Sequence, residues 1–172
     1  SSPANIMNLA LPNKTAQQWA ITACLICGLL LTSALFFEFV MGLAPCPLCM
    51  MQRLWFALAG IITYLGLLHN PRWGIYAMLT IVAAAVGAYF SVRHLWLQSL
   101  PEDQVPACGP PLQYMLEAFS LSDVLIEMTR GTGDCAKAAW SLLGITLPGW
   151  ALLGFVAVIG CGVMQLRAGL AR

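Results

Sequence analysis

Seven cysteines carry the chemistry open to this chain, and their positions sort them into two groups. Cys24 and Cys27 form a CxxC, but they fall inside an apolar stretch, and Cys161 falls inside another. A thiolate in hydrocarbon is desolvated and beyond the reach of soluble thiols, so these three read as small apolar packing residues. Cys46, Cys49, Cys108 and Cys135 fall instead at the ends of apolar stretches or between them. Cys46-Pro47-Leu48-Cys49 closes too small a loop to constrain the unfolded chain strongly, and redox exchange is the expected use of such a pair. Pro47 suits the first position of a helix, which makes Cys46 its cap and Cys49 a first-turn residue. Unpaired N–H groups and the helix dipole favour a thiolate there. Arg53 follows Cys49 by four residues and so shares its face one turn on; an arginine just inside a membrane must snorkel or find a partner. Cys108 and Cys135 are open to two readings, an inert staple or a second redox pair. Zinc would need all four thiolates in one tetrahedral cluster, and a single CxxC followed by two widely separated cysteines matches that poorly, so no metal is expected.

The elements that hold these residues are written in the composition. Of 172 residues, 60% are hydrophobic and 9% charged, too few charges to cover a water-soluble surface. The net charge of +1 gives no sign of a nucleic-acid partner. Four apolar stretches, at about 19–41, 48–68, 75–95 and 147–166, approach the roughly 20 residues a helix needs to cross a bilayer. In lipid each must be helical, because only then are its backbone groups paired. The expected fold is all-α: one membrane domain over residues 1–172, a four-helix bundle. The Ser1-Ser2-Pro3-Ala4 start is taken to lie outside the fold.

Charge sets the expected orientation. Lys14, Arg72, Arg167 and Arg172 fall on one side without acids, while the connection at about 98–146 holds six acids against Arg130 and Lys137. Positive flanks stay inside, so both termini should be cytoplasmic and the connections at about 42–47 and 98–146 external. Within the longer one, Leu112, Met115, Leu116 and Phe119, then Leu121, Val124, Leu125 and Met128, follow helical spacing. They read as a short amphipathic segment lying on the membrane or packed on the loop itself.

Taken together, Pro45-Cys46-Pro47-Leu48-Cys49 with Gln52-Arg53, Arg93-His94, Cys108, Gly133-Asp134-Cys135-Ala136, Trp140 and Leu147-Pro148-Gly149-Trp150 resemble the disulfide bond formation protein B (DsbB) family of bacterial inner-membrane thiol oxidases. The resemblance covers almost the whole chain beyond its N-terminal tail. It implies a monomeric, quinone-dependent enzyme with a periplasmic long loop. There a DsbA-like thioredoxin-fold partner would attack a Cys108–Cys135 disulfide, Cys135 would exchange with Cys46 of a Cys46–Cys49 disulfide, and Cys49 would face the quinone, ubiquinone or menaquinone. Arg53 and His94 would line the quinone pocket. Some relatives carry an acid where Gln52 stands, and Glu38 is no part of the pattern; it reads as an interfacial carboxylate or a proton acceptor for quinol release. A vitamin K epoxide reductase-like protein would have the cysteine pairs in the opposite order. The non-enzymatic alternative is a four-span scaffold or channel with two structural external disulfides.

Overall fold

The computed structural model describes the backbone of residues 3–137 and 140–170 and the side chains from Ala16 onward. Ser1, Ser2 and Arg172 therefore lie outside the described residues, and so does the side chain of Lys14. Among the described residues, four helices are long and apolar enough to cross a membrane: α1 (Pro3–Phe39, its apolar part Ala16–Phe39), α2 (Pro47–His69), α3 (Gly74–Ser99) and α6 (Leu147–Leu170). The chain is thus a multi-pass membrane protein. Helix α1 begins at Pro3, well before the expected span, so the tail set aside on sequence grounds contributes helix from its third residue.

The four helices stand in a ring in which α1 packs on α2 and α6, and α3 packs on the same two from the other side. Small residues face inward, among them Ala20, Ala23, Ala59 and Ala83, while Leu25, Leu29, Ile61 and Val82 face outward. That is the reverse of a water-soluble core and suits a lipid surround, where close backbone approach holds helices together. Gly87 is one such approach: a Cβ there would run into the ring of Phe155. The Phe155 ring in turn stacks on Phe56, with centroids 3.7 Å apart. Two polar contacts tie neighbouring elements together. The Thr63 and Thr80 hydroxyls meet at 3.0 Å between α2 and α3, and the Gln165 amide donates to the Pro71 carbonyl at 2.9 Å, tying the short α2–α3 turn to α6.

The long loop is more structured than its sequence suggests. The expected amphipathic segment divides into α4 (Leu112–Ala118) and α5 (Leu121–Arg130). The break falls at Ser120, whose hydroxyl caps α5 by accepting from the Asp123 N–H at 3.3 Å. Met115 and Val124 turn inward; Tyr114, Leu116, Leu121, Leu125 and Ile126 stay exposed on the outer face. A 3-10 turn, Gly133–Ala136, follows. Next come two short antiparallel strands, β1 (Ser141–Leu142) and β2 (Ile145–Thr146), joined by Leu143 (φ 55°) and Gly144 (φ 79°). Two positive φ values at the turn match the twist of a tight hairpin. The hairpin is pinned to the bundle at both ends: Thr146 donates to the Gln98 side chain at 2.9 Å, and the Trp150 indole donates to the Leu142 carbonyl at 3.3 Å.

Candidate active site

The local rules that shape the start of α2 also build the site. Pro47 occupies the first helical position and Cys46 caps it in an extended conformation (φ −80°, ψ 166°). The cap places Cys46 Sγ over the first turn, where it accepts from the Cys49 N–H at 3.4 Å and meets Cys49 Sγ at 3.0 Å. Both sulfurs are half-buried.

The loop delivers Cys135 to the same point. Gly131 ends α5 with φ 81°, and a Cβ there would press on Leu48 and Leu97 at 2.7 and 2.8 Å. Only glycine allows both that backbone turn and that approach. Arg93, near the end of α3, fixes the segment from the other side by donating to the Arg130 carbonyl at 3.1 Å, its guanidinium 5.2 Å from the Trp96 ring centre. The chain then drops into the 3-10 turn, and Cys135 ends fully buried among Leu48, Met51, Phe90 and Leu97. Its thiol is brought down to about 6 by the hydrogen bond from Cys46, against burial, with N–H groups of Leu48 and Thr132 adding to the effect. Cys46 is pushed the other way: the neighbouring sulfurs of Cys135 and Cys49 favour its protonated form, and burial opposes its ionisation. One sulfur, Cys46, therefore stands between two others.

Cys108 is exposed and lies on the same loop, held near Cys135 through backbone. The Gly133 N–H donates to the Ala107 carbonyl at 3.1 Å, and Gly109 packs on the Thr132 side chain.

Arg53 and His94 complete the surroundings. His94 is buried on α3, with Nε2 3.7 Å from Cys46 Sγ and Nδ1 4.0 Å from Cys49 Sγ. The buried Gln52 amide sits 3.0 Å from Nδ1; donating there, it leaves the ring proton on Nε2, facing Cys46. Arg53 has found its partner in Glu38 of α1, with which it forms an ion pair, and a second donor reaches the Ala34 carbonyl at 3.1 Å. Neither contact was legible beforehand. Gln52 and His94 lie 42 residues apart, and Glu38 lies outside the motif that drew attention to Arg53.

Cys46, Cys49, Arg53 and His94 open onto one cavity of about 340 Å³, walled by apolar side chains of α1 and α6 and bordered by Trp140, whose ring lies 4.6 Å from that of Phe37. Cys24, Cys27 and Cys161 lie in the spans, away from this cavity, and Cys27 and Cys161 are buried in the bundle. A quinone ring needs flat apolar walls, a hydrogen-bond donor for a carbonyl oxygen and an adjacent sulfur; the residues present fit all three. Arg53 has five N–H groups, and its contacts with Glu38 and Ala34 leave others to face the cavity.

The family model described as Disulfide bond formation protein DsbB matches residues 16–165 of the chain. Proteins named Disulfide bond formation protein B are similar to it. That of Hahella chejuensis is 52% identical over 126 residues, covering 72% of this chain and 76% of its own. That of Marinobacter nauticus is 49% identical over 148 residues, covering 83% and 88%, and that of Nitrosococcus oceani 48% over 144, covering 82% and 83%. No solved structure matches the chain.

Proposed function

This chain belongs to the disulfide bond formation protein B (DsbB) family, and from that premise we propose that it reoxidises a periplasmic DsbA-like thioredoxin-fold protein and passes the electrons to a membrane quinone. The observation that carries this reading is the station of Cys46: 3.0 Å from Cys49 on the cavity side and within 4.8 Å of the Cys135 sulfur on the loop side. A sulfur so placed can exchange with either neighbour.

The relay runs in balanced steps. A partner thiolate attacks Cys108 of a Cys108–Cys135 disulfide; a mixed disulfide forms and Cys135 leaves as a thiolate. Cys135 attacks Cys46 of a Cys46–Cys49 disulfide, and Cys49 leaves as a thiolate at the cavity wall. The second partner thiol then displaces Cys108, which recovers Cys135 and frees Cys46. The partner has lost two electrons, and these now reside on Cys46 and Cys49. A quinone supplies the sink, since by taking two electrons and two protons it becomes a quinol. Around it, Arg53 provides positive charge and N–H donors where oxygen gains charge, an electrostatic contribution made before the reaction begins. His94, oriented by Gln52, holds a proton on Nε2 beside Cys46 and can return it as the Cys46 sulfur changes state. Trp140 and Leu142 of the hairpin add apolar surface to the loop side of the cavity.

The need for an external sink follows from potentials. A thiol oxidase such as DsbA, at about −120 mV, is too oxidising to be regenerated by an ordinary structural disulfide, since each ~30 mV is a tenfold factor for two electrons. The basic residues Arg72 and Arg167 at the end of the bundle away from the acidic loop support cytoplasmic termini, periplasmic cysteines and residence in the bacterial inner membrane.

The test is turnover of purified protein with a reduced DsbA-like partner and either ubiquinone or menaquinone, followed by quinone absorbance. Catalytic loss of absorbance that disappears in Cys49→Ala is expected. No loss with either quinone would leave only the scaffold reading.

A further inference from the structure

Chain spacing gave no zinc pattern, yet folding assembles one from three separate elements. The Cys46 sulfur at the cap of α2, a His94 ring nitrogen on α3 and the Cys135 sulfur in the 3-10 turn all lie within 4.8 Å of one another. We propose that the fully reduced protein binds a divalent cation of the zinc class through Cys46, His94 and Cys135, and that the bound ion arrests the thiols in their reduced state.

Ligand chemistry and distances both fit. Two thiolates and an imidazole are the donors that zinc selects over the oxygen sets of magnesium or calcium. With sulfur about 2.3 Å and nitrogen about 2.0 Å from the ion, tetrahedral ligands stand about 3.5 to 3.8 Å apart. Cys46 Sγ and His94 Nε2 are already 3.7 Å apart. The widest of the three separations would need to close by only about 1 Å. Cys49, 3.0 Å from Cys46 Sγ, or a water from the cavity that Cys46 and His94 line would complete the tetrahedron. Gln52 serves as the orienting group that ligating histidines usually have. Turning its amide presents an oxygen to Nδ1–H and leaves the Nε2 lone pair to the metal.

No electrons move in this step. Each ligating thiol that was protonated releases one proton, and two sulfur–metal bonds and one nitrogen–metal bond form. A disulfide at either Cys46 or Cys135 removes a ligand, so binding and oxidation exclude one another. The ion would compete with any oxidant for the same sulfurs, and its binding requires no quinone.

Cadmium and zinc are the probes. Full-length protein in detergent is reduced, freed of reductant, treated with chelator and dialysed anaerobically against either ion. One ion per chain is expected, with a cadmium–thiolate ultraviolet band, and oxidation to disulfides should release it. In the unsubstituted protein the ion should protect Cys46 and Cys135 from alkylation while Cys108 still reacts, a readout that needs no variant to fold. His94→Ala and Cys135→Ala should each weaken binding at least tenfold, and Cys161→Ala should leave the stoichiometry intact. Retention of the ion by oxidised protein, unchanged affinity in both His94→Ala and Cys135→Ala, or protection of Cys108 equal to that of Cys46 would each overturn the proposal. Because no quinone or partner is present, these outcomes do not depend on whether the quinone reading stands.

Discussion

Arg53 of α2 and Glu38 of α1 are joined by an ion pair at the edge of the cavity that Cys49 lines, their side chains 18% and 27% exposed. The pair orients the guanidinium and cancels part of its charge. Glu38→Gln keeps an oxygen to accept from Arg53 but removes the countercharge, so more positive potential falls on the cavity. Apparent quinone affinity should rise a few-fold. Arg53→Ala should weaken it at least tenfold and also strand Glu38, which costs less than the ~3–5 kcal/mol of a fully buried broken pair because water reaches both groups. Quinone dependence at fixed reduced partner measures both. If Glu38→Gln instead mimics Arg53→Ala, the carboxylate only positions the arginine.

Exchange order gives the next expectation. Cys108→Ala should fail to form a mixed disulfide with the partner while still binding quinone, and Cys49→Ala should capture the partner yet reduce no quinone. Non-reducing gels and quinone absorbance separate the two defects. Full turnover in either variant would mean that the sulfurs act in another order.

What the sequence disclosed and what it withheld follow from the range of the forces involved. The four spans were legible because hydrocarbon imposes one secondary structure on any long apolar run. Cys46 as a cap, and Arg53 on the face of Cys49, were legible because both are relations within one helix turn. The contacts between helices were not. Glu38 meets Arg53, and Gln52 meets His94, through packing that no spacing rule encodes. The division of the surface segment at Phe119–Ser120 had a signal, a serine three residues before Asp123, that the apolar periodicity overrode. The β1–β2 hairpin had only Leu143-Gly144 to announce it, between strands of two residues each. Burial of Cys135 beside Cys46 depends on Gly131, whose turn could be guessed but whose contact with Leu48 and Leu97 could not.

Gly131 therefore offers a test of how the loop positions its cysteine. Gly131→Ala adds a Cβ against Leu48 and Leu97 and forces a side chain into a backbone conformation that favours glycine. Overpacking and strain together should cost on the order of 2–5 kcal/mol at this point. The bundle is held mainly by contacts among α1, α2, α3 and α6, so the expected result is local: Cys135 is alkylated faster, exchange between Cys135 and Cys46 slows, and the helix content is unchanged. Undiminished protection of Cys135 would place its anchor elsewhere.

The nearness of Cys46 to Cys135 sets a pH dependence. With its thiol brought down to about 6, Cys135 of the reduced, chelator-treated protein is a thiolate above that pH and a thiol below it. Only the thiolate is alkylated, so the rate at Cys135 should climb tenfold per pH unit below about 6 and level off above. An ordinary cysteine would go on climbing to about 8.5. Cys46→Ala removes the donor that is the largest cause of the shift, so the midpoint should move up toward the ordinary range while access through the loop stays the same. Peptide-resolved mass spectrometry after short exposures to iodoacetamide reads the rate at this one cysteine, and slow access scales the whole profile without moving its midpoint. A midpoint that stays near 6 in Cys46→Ala would detach the two sulfurs and remove the step by which electrons cross from the loop to the cavity.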